Sequence, residues 1–512
     1  MTEISRKIDE NIAVLEALFK DCGDIVKRKL KVCNSASNIV FVMYLDNMAE
    51  RATIEERVLE PLMFAGRRAK QGEGGAYNIF SFLASGAVMS EVVLTTADFT
   101  EAAGIEEMAD AILSGDTAFF VDGFPKGLII STKGWPGRGV QAAETEVVVQ
   151  GSKEAFSESF RTNTVLIRRR IRDVKLKLKQ MSIGERSKTS IGIMYLDDIV
   201  RHDVLEELEK RLNSIEIDAL LDIGYVEQLT ADDWVSPFPQ YQTTERPDKA
   251  AAAILEGRIA VVVDNSPFVL LLPTTFNALM QAAEDYYQGF EIMSATRILR
   301  YIAAFVGLSL PALYIAIAVY HPSMLPTLLI YKLAEARRNV PFPAMLEIII
   351  MDFAFELLRE ASVRLPHAVG GTIGIVGGLI IGQAAVEAGL VSPIVVIVVA
   401  VTGISTFVIP NFRLVNGFRL MKYVLIVFAS VLGLFGFWMG FLLVLIHLAA
   451  LKSYGIPYMF PYAAGSANHY ADFKDTLVRA PLFMMKKRPI FANPLEAIRL
   501  RTKGNGKAHH KE

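Results

Sequence analysis

Apolar residues change their rhythm near residue 297. Before it they come in short runs or at helical spacing; beyond it they form stretches long enough to cross a bilayer, about twenty residues each. In the first part, IDENIAVLEALFKDCGDIVKRKL places Ile12, Leu15, Leu18 and Phe19 on one helical face and predicts a leading amphipathic helix within residues 1–35. NIVFVMYLDN, residues 38–47, is a branched and aromatic run that predicts a buried strand. Ile54, Val58, Leu59 and Leu62 then follow at helical spacing.

This plan is written twice. SIGIMYLDDI, residues 190–199, matches the first strand, Met43-Tyr44-Leu45-Asp46 against Met194-Tyr195-Leu196-Asp197, and VLEELEKRLNSI supplies a helix with Val204, Leu208, Leu212 and Ile215 inward. AILSGDTAFFVDGFPKGLIIST from Ala111 is echoed by AILEGRIAVVVDNSPFVLLLPT from Ala253. Each reads as helix end, glycine, strand, turn and strand, so Asp122-Gly123 and Asp264-Asn265 predict hairpin turns. Two similar α/β lobes follow, with cores at 36–140 and 185–275 and a cleft between them where a ligand could sit. Asp46, Asp197, Asp122 and Asp264 end strands and set turns; no catalytic carboxylate is expected among them.

RTNTVLIRRRIRDVKLKLK, residues 161–179, is densely basic without interleaved aromatics, which speaks against stacking on nucleic-acid bases. Lys175, Lys177 and Lys179 alternate as the wet face of a strand or strut, while Arg168, Arg169, Arg170 and Arg172 are available to a neighbouring subunit's acids or to anionic lipid. Pro237, Pro239 and Pro247 break regular structure ahead of the helix near Asp248, and Glu245 and Arg246 are expected to find partners elsewhere than in each other. Tyr286, Tyr287 and Phe290 precede the apolar half and suit an interfacial belt.

In that half, residues 298–320 form a first span with Pro311 inside, 372–391 and 394–410 read as a helical hairpin, and the run from Tyr423 spans once with tilt or breaks at its glycines. TIGIVGGLIIGQAAVEAGLV, residues 372–391, carries the most information. Gly374, Gly378 and Gly382 share a face suited to close helix packing, and Val376, Leu379, Gln383 and Glu387 form a neighbouring stripe suited to a pore. Packing alone, with Glu387 reaching headgroup water, also explains the stretch. Residues 344–364 set Glu347, Asp352, Glu356, Arg359 and Glu360 among apolar residues, as an interfacial amphipathic helix or as a span whose charged stripe lines an aqueous path. His447 in the last span is read as a packing donor or a proton relay.

The expected architecture is an N-terminal helix (1–35), a first α/β lobe (36–150), a basic connecting segment (151–184), a second α/β lobe with linker (185–297), an α-helical multi-span membrane domain of four to six spans (298–456) and a basic tail (457–512). A formal net charge of −2 gives no global pull toward nucleic acid. The polar start is not a secretory signal, and basic residues after Pro457 argue for a cytoplasmic tail beside a cytoplasmic N-terminal region. Cys22 and Cys33 match neither a zinc pair nor a redox motif, the histidines form no ligand pair, and GIVGG lies inside an apolar span rather than in a phosphate loop. No catalytic group, metal or cofactor is expected. A secondary transporter would show paired broken helices in two membrane halves, and no such repeat is found.

FVDGFPKGLI, EAFSESFRTNTVLIRRRIR, SPFPQ, TERPD, PFPAMLE, ELLREASVRLP, IGIVGGLIIGQAAVEAGLVSP and SYGIPYMFP together resemble the A subunits of GerA-type germinant receptors of endospore-forming bacteria. Ala143 and Gln150 depart from the family pattern, which bears on the strut around them. The resemblance implies a nutrient-sensing complex of the spore inner membrane, with a permease-like B subunit holding the nutrient and a lipoprotein C subunit as partners. It also implies self-association of the A subunit into a germinant-opened cation channel that triggers germination. An accessory spore membrane protein of the same family has a similar layout.

Overall fold

The computed structural model describes residues 2–31, 39–60, 99–134, 142–364, 377–378, 380–463 and 472–500. Among the described residues, the N-terminal half contains two five-stranded sheets. In the first, β1 (Ile25–Lys31), β2 (Ile39–Leu45), β3 (Phe99–Ala102), β4 (Thr117–Val121) and β5 (Gly127–Ile130) lie in the order β1-β2-β4-β5-β3. In the second, β6 (Leu176–Ile183), β7 (Thr189–Leu196), β8 (Gln242–Thr244), β9 (Ile259–Val263) and β10 (Val269–Leu272) lie in the order β6-β7-β9-β10-β8. The two orders are one topology used twice, and the register agrees: Met43 faces Ala118 as Met194 faces Ala260. Every pairing between these strands is antiparallel, so each lobe is an antiparallel sheet with helices added rather than a parallel α/β sheet.

Alternation along the central strands explains the layers. Phe41, Met43 and Leu45 pack under helices Ile8–Leu18 and Ile105–Leu113, while Val40, Val42 and Tyr44 face Ile54 and Val58 on the other side. In the second lobe Met194 and Leu196 meet helices Phe160–Arg168 and Pro247–Leu255, and Ile191, Ile193 and Tyr195 meet helix His202–Asn213 through Val204, Leu208 and Leu212.

The repeating unit starts earlier than the change in composition suggests. Helix Ile8–Leu18 with β1 belongs to the first lobe, and helix Phe160–Arg168 with β6, inside the basic connecting segment, is its counterpart. Their entries are built alike. Asn11 accepts from the Ser5 N–H at 2.8 Å and donates to the Ser5 carbonyl at 2.7 Å; Asn163 does the same with Ser157 at 2.8 and 2.6 Å. Asp122 and Asp264, each in a hairpin turn, accept the first helical N–H of Ile8 and of Phe160, both at 3.2 Å. The turn aspartates therefore also tie each hairpin to its own leading helix.

The lobes join edge to edge. Leu178 of β6 exchanges backbone hydrogen bonds with Asp21 and Gly23, and the Arg168 guanidinium reaches both Asp24 carboxylate oxygens at 2.8 and 2.9 Å and the Leu176 carbonyl at 2.7 Å. Arg168 is 1% exposed. It is thus spent within the chain, not on a neighbour or lipid, and Arg169 and Arg170 likewise pair with Glu154. Lys177 is also buried, its ammonium donating to the Leu18 carbonyl at 3.2 Å, so of the three alternating lysines only Lys175 and Lys179 face water. Cys22 lies in the groove beneath this joint, and Cys33 lies outside the described residues.

Beyond the lobes, two helices among the described residues are long and apolar enough to cross a membrane, Phe290–Tyr320 and Phe412–Ala450; Pro393–Phe407 is shorter. The second is not one rod. Gly433 leaves the helical region at φ 62° and ψ −137°, and a Cβ on Gly440 would lie 3.0 Å from Leu425 and 3.3 Å from Phe428. Phe238 touches both Phe418 and His447, which a straight helix would hold about 44 Å apart. The chain therefore reverses at Gly433 into two antiparallel arms of about 31 and 25 Å. The glycine break, one of the two readings of this run, is the one adopted.

Candidate functional site at the base of the helix bundle

The SPFPQ stretch is a plug between the second lobe and the bundle. The Phe238 ring sits 5.9 Å from the rings of Phe418 and His447, and Phe276 adds an edge contact to Phe418 at 6.2 Å. Gly417 makes room, since a Cβ there would lie 2.9 Å from the Phe238 ring and from the Pro237 carbonyl oxygen. His447 shares a 2.9 Å hydrogen bond with the Ser236 hydroxyl, so it serves helix packing against the lobe.

Beside the plug lies an ionic knot. Asp285, fully buried, accepts from Arg297 at 2.9 Å and Arg300 at 2.8 Å, and Arg297 continues to Asp475 of the C-terminal tail at 2.6 Å. Burying charge is tolerable only when opposite charge and hydrogen bonds replace water, and here four charged groups from linker, helix and tail do so together. Tyr286 donates to Asp475, and its ring lies under Arg297 and Arg479. Tyr287 donates to Asp248 at 2.6 Å. Tyr286 therefore faces protein partners rather than an interfacial belt, whereas Tyr287 and Phe290 keep exposed ring surface.

The TERPD stretch clasps the strut after the first lobe. Glu245 accepts from the Thr145 N–H at 2.6 Å, its hydroxyl at 2.8 Å and the Glu146 N–H at 2.6 Å, while Arg246 pairs with Asp248 at 2.6 Å. Glu146 in turn takes Lys249 and Thr244, and Glu284 takes the Val149 N–H. The adjacent Glu245 and Arg246 thus point to different partners, as their sequence implied, and polar contacts run from strut through linker to bundle and tail.

A cavity of about 340 Å³ opens here between the second lobe, the linker and the tail. Burial pushes its Glu256 carboxyl up to about 7, with Arg499 at 3.5 Å opposing and Asp475 adding to the rise. Burial likewise raises Asp472 to about 7, with backbone hydrogen bonds opposing. A carboxyl raised in the folded state binds a proton on docking, so its contribution is complete below about pH 4 and lost as pH rises through about 7. Amide protection factors across residues 472–500, corrected for the intrinsic pH dependence of exchange, are expected to be higher at pH 5.5 than at pH 8, with Glu256→Gln flattening the difference. Equal protection at both values would refute this.

The charged helix Ala344–Arg364 is matched residue by residue. Glu347 is fully buried, accepting from the Ser392 N–H at 2.9 Å and Arg337 at 3.2 Å. Asp352 receives Lys422 at 2.6 and 2.7 Å, Glu356 takes both Arg359 and Arg419, and Glu360 takes Arg364 at 2.6 Å. Because 352 pairs with 422 and 356 with 419, this helix runs antiparallel to the first arm of the hairpin rather than across its end. The basic stretch Arg413–Lys422 is accordingly a helix face that answers these acids, with Arg413 reaching back to Glu227 of the second lobe.

Of the small-residue segment, Gly377, Gly378 and residues 380–391 are described, whereas Gly374, Val376 and Leu379 lie outside the described residues. A Cβ on Gly377 would press to 2.7 Å from Leu358; at Gly378 and Gly382 it would meet Phe355 at 3.8 Å and Val396 at 3.5 Å. Gln383 and Glu387 face outward, the amide donating to the carboxylate at 2.8 Å.

A duplicated soluble module clamped by plug, knot and strut to an apolar helical bundle defines the class. The family model described as Bacillus/Clostridium GerA spore germination protein matches residues 13–491, and the chain belongs to this family. It is 41% identical to the uncharacterized membrane protein YfkQ of Bacillus subtilis (strain 168), covering 95% of this chain and 91% of that one. It is 37% identical to spore germination protein KA of the same organism, over 97% and 88%, and 36% identical to spore germination protein A1, over 94% and 95%. Among solved structures, the N-terminal domain of the A subunit of the Bacillus megaterium spore germinant receptor GerK3 aligns at 31% identity. That alignment covers 54% of this chain and 98% of the domain, with a TM-score of 0.40.

Proposed function

We propose that this protein is the A subunit of a nutrient germinant receptor in the spore inner membrane, and that several copies form a cation channel opened when nutrient binds a permease-like partner. A lipoprotein C subunit completes the complex. The observation that carries the reading is the outward Gln383–Glu387 pair on a segment whose glycines turn toward Leu358, Phe355 and Val396 of its own chain. A carboxylate on the outer face of an apolar bundle needs water or a neighbouring subunit, and a ring of subunits supplies both. In this reading Val376 and Leu379, seven and four residues before Gln383 in the sequence, supply the apolar constriction that closes the path by dewetting. The bundle crosses the membrane several times, with the lobes and tail on the cytoplasmic, spore-core side, as the Arg297–Asp475 pair between helix and tail supports.

Val376→Ala is expected to release ions without nutrient, and Glu387→Gln to lower cation preference with assembly intact, read as ion release from spores carrying each variant. Unchanged leak and selectivity in both would favour the second reading, an accessory membrane scaffold of the same family. That reading is supported by Glu387 already having the Gln383 amide as a partner within its own chain.

A further inference from the structure

One apolar face of the second lobe has no partner among the described residues. Helix Ile223–Thr230 buries Ile223, Val226 and Thr230 against the sheet. Away from that face the helix exposes Tyr225 and Leu229, four residues apart; Leu221 lies just before its cap, and Trp234 and Val235 follow its end. Trp234 is 87% exposed, Val235 69% and Leu221 64%. Five large apolar side chains exposed within fifteen residues of one lobe point to a contact surface.

Its location names the contact. Glu227, between Tyr225 and Leu229, pairs with Arg413 in the first turn of the hairpin's first arm. Ser236, next to Val235, bonds His447 in the last turn of the second arm. The segment is therefore pinned at the level where both arms leave the bundle, and exposed Phe412 continues its apolar surface onto the first arm. We propose that this face is seated in the lipid headgroup region beside the bundle, so that the second lobe is held to the membrane by Tyr225, Leu229, Trp234 and Val235 as well as by its covalent linker. The inference rests on the reading that the bundle spans the membrane.

Tyrosine and tryptophan suit this depth because their rings are apolar and their O–H and N–H groups still reach water. Nearby charge is already engaged: Glu227 by Arg413, Asp232 by Arg211, Asp233 by the Val235 N–H, and Asp222 by the Ser266 hydroxyl and the Gly224 N–H. Attraction is thus apolar, and uncharged phosphatidylcholine suffices.

The test uses the full chain in phosphatidylcholine vesicles, with lipids brominated near the head of their acyl chains as quenchers. Trp135→Phe with Trp438→Phe leaves Trp234 as the only indole; Trp135→Phe with Trp234→Phe leaves Trp438, half exposed on the hairpin, as the reporter of the bundle. If a double variant does not fold, the difference in quenching between the natural chain and Trp234→Phe measures the same quantity. Both indoles are expected to lose emission about twofold, as for a ring held ~5–10 Å into the headgroup boundary. Quenching of Trp438 alone overturns the seat: acrylamide access to Trp234 then means that the face is in water, and protection from acrylamide means that a second protein covers it. If Trp438 is not quenched, the membrane reading fails and the seat falls with it.

Discussion

Asp285→Leu is expected to destabilise the full-length protein by about 3–5 kcal/mol, because it leaves the Arg297 and Arg300 guanidiniums buried without the carboxylate that both reach. The measurement is thermal unfolding of the detergent-solubilised chain together with its level in membranes. Asp475→Asn is expected to cost less, since Asp475 is partly exposed and Asp285 still holds both arginines. A variant lacking Asp285 that melts with the natural protein would mean that the knot does not hold linker to bundle.

The second large effect concerns Asp352 and Lys422. Either Asp352→Leu or Lys422→Met alone leaves one charge inside the bundle and is expected to cost about 3–5 kcal/mol, whereas both together are expected to return to within about 1 kcal/mol of the natural chain. Such recovery with normal ion release would make the pair a device of assembly. Recovery of stability without ion release would assign the pair to conduction. A double variant as unstable as either single change would refute the coupling.

The lobes were legible where a strand is covered on both faces. The runs around Met43 and Met194 are apolar at every position because helices lie on each side, and a repeat of such runs shows through divergence elsewhere. β1 was hidden for the opposite reason: it is an edge strand, IVKRKLK, whose charge density masked its pattern. In β6, LKLKQMSI, the alternation itself was legible as a strand or strut, but its charge set it apart from the lobe whose edge it forms.

The site was legible only in part. Glu347, Asp352 and Glu356 announced themselves as charges in an apolar setting, but nothing local names Lys422 or Arg419 as their partners. The knot was less visible still, since Asp285 and Asp475 are drawn together by Arg297 across most of the apolar half. The aromatic face of the second lobe escaped notice because single exposed apolar residues are ordinary on soluble surfaces; only their shared side and their place beside Arg413 and His447 set them apart. A helix of eight residues carrying apolar groups on two opposite sides was the available signal.

The return of the tail to the base of the bundle also fixes an order of events. Synthesis delivers Asp285, Arg297 and Arg300 long before Asp475, so until the whole apolar half has emerged and folded back, Arg297 lacks its second carboxylate and Tyr286 its acceptor. A chain that stalls or ends early delivers Asp475 late or not at all. Closure of the knot therefore requires that the chain between Arg300 and Asp475 has been made and folded back.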